Sequence, residues 1–403
     1  MIDNKLLDGI RVLEFGQIAA GPFTGSLLAD LGADVVKIER PGEGDGMRNW
    51  PPLTPNADGE VFSENFASLN RNKRSVALDL KDPADAEALH RLCRQADVLV
   101  ENFRPGVMER TGFGYQALAA DNPGLVYCSI SGYGQSGPYA SRGAFDVTVQ
   151  AMSGLMSVTG EEQGGPVKCG VPVGDFCAGL YAAYGIAAAL LRRQHTGKGG
   201  FIDCTMLGSL IGVSALQTSE YLGTGKPGRR LGSAHPRNAP YQAFRAADDY
   251  FVIAAGNDKL WRSVCDAIGQ PELAHRPEFA NQSLRAANQA WLTELLERAF
   301  SQQPARHWLA EMDKRGVPAS PINQYGDVLA DPQVEHLQLV RPLELPNGVK
   351  TRTTAIPLHI SDFEFAVRRP PPTLGQHTAE VIDDWDTGER PTIPRRQSTG
   401  SLS

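Results

Sequence analysis

Residues 1–130 alternate short apolar runs, rich in β-branched residues, with segments whose apolar positions recur at helical spacing. The short runs predict buried strands and the spaced segments predict helices. The predicted strands are Ile10–Phe15, Ala33–Ile38, Asp97–Val100 and Leu125–Ile130, and the predicted helices are Phe23–Leu31 and Ala84–Ala96. Because strands that alternate with helices form parallel sheets with right-handed crossovers, this pattern predicts a large α/β domain of the Rossmann-like, doubly wound type.

The pattern changes in the second half of the chain. A long apolar helix is predicted over Asp175–Arg193, then a strand over Ile202–Cys204 and a helix over Met206–Tyr221. Gly223–Tyr241 is rich in Gly, Pro and Arg, which is typical of a linker. The elements predicted beyond it are the strand Tyr250–Ala255 and the helices Leu260–Ile268, Ala286–Phe300 and Ala305–Arg315. They indicate a second, smaller α+β domain.

Composition and charge exclude several classes of protein. Of 403 residues, 39 are basic and 46 acidic, so the net charge is −7, which argues against a nucleic-acid partner and against an anionic membrane surface. The six cysteines are far apart and the histidines form no HExxH pattern, so we expect free thiols and no metal site. The longest apolar run, Ala178–Leu191, is about 14 residues, whereas a bilayer span needs about 20. Without a recognisable signal peptide, the sequence predicts a cytoplasmic protein.

Two glycine-containing loops are candidate nucleotide-binding elements. Gly132–Gly137 (GYGQSG) matches G-x-G-x-x-G, but Pro138 follows at once, so we expect a tight turn. The loop GQIAAGP after the first strand enters a helix and could offer backbone N–H groups to a phosphate. Glu39 lies at the end of the second strand, where a ribose-binding acid would be, and Arg40 could pair with a phosphate.

One carboxylate, Asp175, begins the long apolar helix directly after Gly174. Asp is a good helix N-cap, which is a purely structural role. A helix N-terminus also stabilises the anionic form of a carboxylate, and an ionised carboxylate can act as a nucleophile. Residue pattern alone leaves both roles open, and they are compatible.

Several ordered blocks give the chain a family resemblance. The blocks are LLDGIRVLEFGQIAAGPFTGSLLADLGADVVKIERPGEGD, NRNKRSVALDLK, VENFRPGVMERTGF, SGYGQSGPY, VGDFCAG and VPASPINQYGDVLADPQV. In these blocks the chain resembles the family III CoA-transferases, the CaiB–BaiF group, from Leu7 to His377. The resemblance implies an enzyme that moves CoA from an acyl-CoA thioester to a free carboxylic acid, with no permanently bound cofactor and no metal.

The resemblance also assigns roles to particular residues. It implies that Asp175 attacks the thioester and passes through an aspartyl anhydride and an aspartyl-CoA thioester. By position, the implied CoA-binding residues are Ile18, Ala19, Ala20, Arg40, Leu78, Lys81, Asn102, Phe103 and Arg110.

The fold implied by the resemblance is an interlocked homodimer of ring-shaped chains. Residues 1–222 with 330–390 would form the large CoA-binding domain, and residues 223–329 the linkers and the small domain. We expect the tail, residues 391–403, to be disordered.

Two other functions and one substrate hypothesis remain from the sequence. An α-methylacyl-CoA racemase of the same superfamily would need a histidine where Phe145 stands, and a non-catalytic CoA-binding module would not need Asp175. Four basic residues of the linker could hold the distal carboxylate of a short dicarboxylate acceptor, with succinyl-CoA as donor. They are Arg229, Arg230, His235 and Arg237. Surface charges or dimer contacts are the alternative interpretation of these four residues.

Overall fold

The strands and helices follow one another much as the apolar pattern predicts. The computed structural model describes residues 5–387, so the predicted tail at 391–403 lies outside the described residues. In chain order the strands are β1 (Arg11–Glu14), β2 (Asp34–Glu39), β3 (Leu53–Pro55), β4 (Val61–Ser63), β5 (Lys73–Ala77), β6 (Val98–Glu101), β7 (Val126–Ser131), β8 (Gly200–Thr205), β9 (Tyr241–Arg245), β10 (Tyr250–Ala254), β11 (Ala319–Pro321), β12 (Val340–Glu344) and β13 (Lys350–Thr354).

The helices vary widely in length. They are α1 (Ala20–Asp30), α2 (Glu64–Asn70), α3 (Pro83–Gln95), α4 (Val107–Arg110), α5 (Tyr115–Asp121), α6 (Asp146–Met152), α7 (Leu155–Val158), α8 (Val173–Thr196), α9 (Met206–Val213), α10 (Ala215–Thr224), α11 (Asp258–Ala267), α12 (Gln282–Ala287), α13 (Gln289–Phe300), α14 (Ala305–Lys314), α15 (Tyr325–Leu329), α16 (Pro332–His336) and α17 (Thr378–Thr387). Short 3-10 helices cover Gly46–Asn49, Pro271–His275 and Pro277–Phe279.

A six-stranded sheet organises the larger of two structural units, which comprises residues 5–155, 169–219 and 333–387. Its strand order is β5-β2-β1-β6-β7-β8, and every neighbouring pair is parallel. The chain therefore changes direction across the sheet between β1 and β6. This order confirms the predicted doubly wound fold and places a crevice at the carboxyl ends of β1 and β6, where such folds bind ligands.

Both faces of this sheet are buried, which explains the continuous apolar runs of its strands. On β1, Val12 packs in one core cluster with α1 and α8, and Leu13 packs in a second cluster with α3 and α17. One edge strand of the sheet is β5, which the apolar pattern did not predict. That strand contains Lys73 and Arg74, and both side chains are buried against carboxylates rather than apolar groups.

The apolar helix α8 is longer than its apolar middle suggested. It has 24 residues. Among residues 5–387 it is the one helix that is long and apolar enough to cross a membrane, judged by length and composition only. Core helices of globular proteins meet the same criterion, and Ala178, Ala182 and Ile186 of α8 are fully buried in the core beneath the sheet. The helix predicted over Met206–Tyr221 is two helices, α9 and α10, separated at Ser214.

The smaller unit comprises residues 156–168 and 220–332. It contains the antiparallel sheet β11-β10-β9 and a core rich in aromatic side chains, such as Phe251 and Phe300. The division expected from the sequence placed 156–168 in the large domain, whereas the structure groups this segment with 220–332. Hydrogen bonds explain the difference, because Gly232 N donates to Gly160 O over 2.9 Å and the Arg230 side chain donates to Gly164 O over 2.8 Å.

Candidate active site

The loop between β1 and α1 lies at the crevice of the sheet. Asn102, which follows β6, fixes this loop by two hydrogen bonds to Gln17: Gln17 N donates to Asn102 Oδ1 and Asn102 Nδ2 donates to Gln17 O, each over 2.9 Å. Helix α1 then begins at Ala20, and its N-cap residue Ala19 has only a methyl side chain. The first N–H groups of a helix lack intrahelical partners, so this turn presents donors and a positive dipole end to a ligand.

Asp175 lies in the first turn of α8, and α8 packs directly against α1. The rings of Phe23 and Phe176 are 4.7 Å apart between centroids. Thr24 Oγ1 donates to Gly179 O over 3.4 Å, and a Cβ atom at Gly179 would lie only 3.2 Å from Ala20 O. Gly179, one turn after Asp175, therefore permits a close approach between the beginning of α8 and the beginning of α1.

The N-cap role considered for Asp175 is wrong. Helix α8 begins at Val173, so Asp175 is the third helical residue and its side chain remains available. The orphan N–H of Gly174 is instead accepted by Asp146 Oδ1 over 2.7 Å, and Gln150 Nε2 donates to Asp146 Oδ2 over 2.6 Å. Sequence reasoning missed Asp146, although it begins α6 directly after Phe145, a position that the racemase comparison had already singled out.

The carboxyl of Asp175 has a perturbed acidity. Burial, and then the negative charge of Asp146, raises its pKa to about 6. At neutral pH the group is still mainly ionised, and it is a stronger base than an exposed aspartate. A carboxylate with these properties can attack a thioester carbonyl.

The other predicted site residues follow neighbouring strands at the same edge of the sheet. Arg40 follows β2 and is exposed, with Glu43 at 3.1 Å and Asp79 at 3.6 Å from its guanidinium. Lys81 is exposed between β5 and α3, and Arg110 is exposed at the end of α4. Leu78 is only 6% exposed and belongs to the core, and Phe103 is half-buried against the same core cluster.

Comparison with known proteins identifies the family of this chain. The model of CoA-transferase family III matches residues 7–378. The chain belongs to this family. It is 40% identical to succinyl-CoA:glutarate CoA-transferase from Homo sapiens, over 95% of this chain and 87% of that protein. It is 43% identical to acetyl-CoA:oxalate CoA-transferase from Acetobacter aceti, over 95% of this chain and 96% of that protein.

The fold comparison gives the same family. A crystal structure of a CAIB/BAIF family protein from Brucella suis has a TM-score of 0.85 and 42% identity, covering 95% of this chain and 100% of that chain. This protein is therefore a family III CoA-transferase with a large parallel α/β sheet, as the sequence blocks indicated.

In this CoA-transferase, the ribose-binding interpretation of Glu39 is wrong. Glu39 is buried and saturated by protein donors: Arg48 binds both of its oxygens over 2.8 and 2.6 Å, and Ser75 Oγ donates over 2.6 Å. It has no oxygen left for a ribose. The Gly132–Gly137 segment is a turn, with φ of 102° at Gly134 and 91° at Gly137, as predicted.

The racemase alternative needs a second base at position 145, and the residue there is not a base. Phe145 is the N-cap residue of α6 and is 71% exposed. Its phenyl ring cannot exchange a proton. Within residues 5–387, no group of three His, Cys, Asp or Glu side chains is placed to hold a metal ion.

The basic residues of the linker are engaged inside the smaller unit. Arg229 lies 3.3 Å from Glu162, and Arg237 lies 2.5 Å from Glu220. Arg230 donates to the carbonyl oxygens of Glu161 and Gly164 over 3.3 and 2.8 Å. His235 accepts the backbone N–H of Arg237 over 3.1 Å.

Proposed function

We propose that this enzyme transfers CoA from succinyl-CoA to a short dicarboxylic acid, with Asp175 as the covalent nucleophile. The observation that carries this proposal is the position of Asp175, in the first turn of α8, whose next turn packs against the first turn of α1 at the crevice of the sheet. Its partly buried carboxyl, with a pKa raised to about 6, is ionised at neutral pH and reactive.

Each proposed step conserves charge and bonds. The Asp175 carboxylate attacks the thioester carbonyl, the C–S bond breaks, and CoA leaves as a thiolate beside a mixed anhydride. The thiolate attacks the aspartyl carbonyl and releases succinate, giving an aspartyl-CoA thioester. The acceptor carboxylate attacks this thioester, and the returning thiolate then attacks the acceptor carbonyl of the second anhydride, which frees Asp175. Anhydride and thioester are similarly activated, so no ATP and no redox partner is consumed.

For CoA we propose the contacts that the family resemblance implies. The N–H groups at Ala19 and Ala20 would face the pantetheine or phosphate groups, and the exposed cations Arg40, Lys81 and Arg110 would pair with phosphates. Ile18, Leu78 and Phe103 would supply the apolar contacts. The amide of Asn102 already binds the backbone of Gln17, so we assign Asn102 to the wall of this site through the loop it fixes.

The dicarboxylate acceptor is supported by the relatives. The human relative is named for glutarate and the Acetobacter relative for oxalate, and both acids carry two carboxylates. A second carboxylate on the acceptor needs a cation, and the linker arginines stay the candidates. We expect succinyl-CoA with a panel of dicarboxylates to give acceptor-CoA products by mass spectrometry, with acetyl-CoA as the competing donor. Faster turnover of monocarboxylates would contradict the acceptor assignment.

The nucleophile is tested by Asp175→Ala. This variant should lose at least about a thousandfold in turnover while it keeps its circular dichroism and its affinity for CoA. In the wild-type enzyme, hydroxylamine with succinyl-CoA should trap a hydroxamate on Asp175. Retained turnover in Asp175→Ala would refute the assignment. Exchange of the α-proton of a 2-methylacyl-CoA in heavy water, with no acceptor acid, would favour the racemase instead.

We also propose that the enzyme is a homodimer, as the family resemblance implies; its cytoplasmic location stays a prediction. One face of α8 exposes Leu180, Tyr184 and Leu191, with 53%, 74% and 59% of each residue accessible. Exposed apolar stripes of this kind commonly mark subunit contacts. Light scattering should give twice the mass of the chain, and a mass equal to one chain at micromolar concentration would contradict the proposal.

A further inference from the structure

The loop that precedes α1 contains an unusual backbone conformation. Ile18 has a φ of 66°, in the left-handed region. A β-branched residue rarely adopts this conformation, because its side chain crowds the following carbonyl group. Such a conformation persists only where the surrounding structure enforces it, and it is often found at functional sites.

Asp45 is the group that binds the strained residue. The N–H of Ile18 donates to both carboxylate oxygens of Asp45, over 3.2 Å to Oδ1 and 3.1 Å to Oδ2. The same carboxylate accepts the N–H of Met47 over 2.9 Å and so caps the 3-10 helix Gly46–Asn49. One side chain after β2 thus determines the conformation of the loop after β1.

A buried chain of charges keeps Asp45 ionised and in place. Lys37 Nζ lies 2.9 Å from Asp45 Oδ2 and 2.9 Å from Glu14 Oε1, and it donates to Gly16 O over 2.7 Å. The side chains of Lys37, Asp45 and Glu14 are fully buried. Burial alone would raise the pKa of Asp45, but the charge of Lys37 and the N–H donors hold that pKa below its ordinary value. The carboxylate that receives the Ile18 N–H is therefore an anion, and hydrogen bonds to ionised acceptors are the stronger ones.

We propose that Asp45 is a positioning residue for CoA, which acts by holding Ile18 in its left-handed conformation. The proposal rests on the proposed function, in which the Ile18–Ala20 segment lines the CoA site. Lys37 supports Asp45 and also binds the loop directly at Gly16. With the loop held before the ligand arrives, CoA binding does not have to organise this segment, which raises its apparent affinity.

The alternative is that Asp45 only stabilises the fold as a helix cap and ion-pair partner. The two roles differ in one respect that can be measured. If Asp45 acts through the strain at Ile18, a glycine at position 18 should make Asp45 less important, since glycine adopts positive φ without external help. A purely structural role predicts the same loss with either residue at position 18.

The test uses Asp45→Asn, Ile18→Gly and the double variant, with the dissociation constant for CoA measured by calorimetry. An amide at position 45 carries no charge and turns one acceptor oxygen into a donor, so it cannot serve Lys37, the Ile18 N–H and the Met47 N–H together. We expect Asp45→Asn to weaken CoA binding about tenfold, the population cost of a left-handed β-branched residue. In the Ile18→Gly background the same substitution should weaken binding by less than about threefold. Asn257→Ala removes the N-cap of α11 in the smaller unit and serves as control, with unchanged CoA affinity.

Equal losses in both backgrounds, or no loss in Asp45→Asn, would overturn the proposal. A second measurement needs no variant: in the wild-type enzyme without CoA, exchange of the Gln17 and Ile18 amide hydrogens, which are donated to Asn102 and Asp45, should already be slow. Fast exchange that becomes slow only on adding CoA would also overturn it. Failure of the proposed function looks different, since it appears as absent CoA binding by the wild type or as turnover by Asp175→Ala.

Discussion

Replacing Asp175, the proposed nucleophile, with an uncharged residue should stabilise the folded protein mainly at higher pH. Folding raises the pKa of Asp175 from 3.8 to about 6, first through burial and then through the charge of Asp146. Between these pKa values the unfolded chain releases its proton while the folded protein keeps it, so stability falls as pH rises through this window and stays lower above it. The pKa difference corresponds to about 3 kcal/mol at pH 8.

The dipole of α8 reduces this free-energy difference. Asp175 lies in the first turn of α8, and the positive end of the helix dipole favours its anion by about 1 kcal/mol. We therefore expect Asp175→Asn, which keeps the shape of the side chain without its charge, to be about 2 kcal/mol more stable than the wild type at pH 8. Near pH 4 the difference should fall below about 1 kcal/mol, because the carboxyl is then protonated in the folded state and about half protonated in the unfolded chain.

The assay is thermal unfolding of both proteins at pH 4, 6 and 8. For a unit of this size, the expected free-energy difference raises the melting temperature by about 3–6 °C at pH 8. Asp248→Asn is a suitable control for loss of a carboxylate, since Asp248 lies outside this site and its pKa is lowered, chiefly by the backbone N–H of Ala305. An equal shift at every pH, or a less stable Asp175→Asn at pH 8, would refute the reasoning.

Three further predictions concern the site and the charges beneath it. Turnover should fall as pH drops below about 6, as protonation of Asp175 removes the nucleophile, and a rate profile with no inflection between pH 5 and 7 would contradict this. Gly179→Ala should lower both stability and turnover, because the new Cβ would lie 2.7 Å from the Phe23 ring. Gly185→Ala is the matched control: its new Cβ would have its nearest contacts at 3.6 and 3.7 Å, so this variant should be tolerated or should stabilise α8 slightly. Lys73→Met should cost about 3–5 kcal/mol in denaturant unfolding, since it removes a buried cation 2.7 Å from Glu14, and a loss under about 1 kcal/mol would show that the pair is dispensable.

The apolar pattern was sufficient for most of the large domain. In β6 and β7 apolar residues occupy successive positions because both faces of the sheet are covered, and these runs are visible in the sequence. The catalytic candidate Asp175 was also accessible from sequence, since a Gly-Asp pair opens a long helix within a recognisable block. The pattern failed at β5, where Lys73, Arg74 and Ser75 occupy buried positions. Their burial depends on carboxylates that lie far away in the chain.

The sequence by itself determined the periodicity of the strands and helices, and with it the fold class, and its blocks singled out Asp175 as the proposed nucleophile. Tertiary structure decided which polar groups meet. Asp146 receives the N–H of Gly174 from 28 positions away, and Asp45 receives the N–H of Ile18 from 27 positions away. Hydrogen bonds and ion pairs act over a few ångströms, so pairs distant in sequence exist only after packing of the apolar faces has brought their strands and helices together.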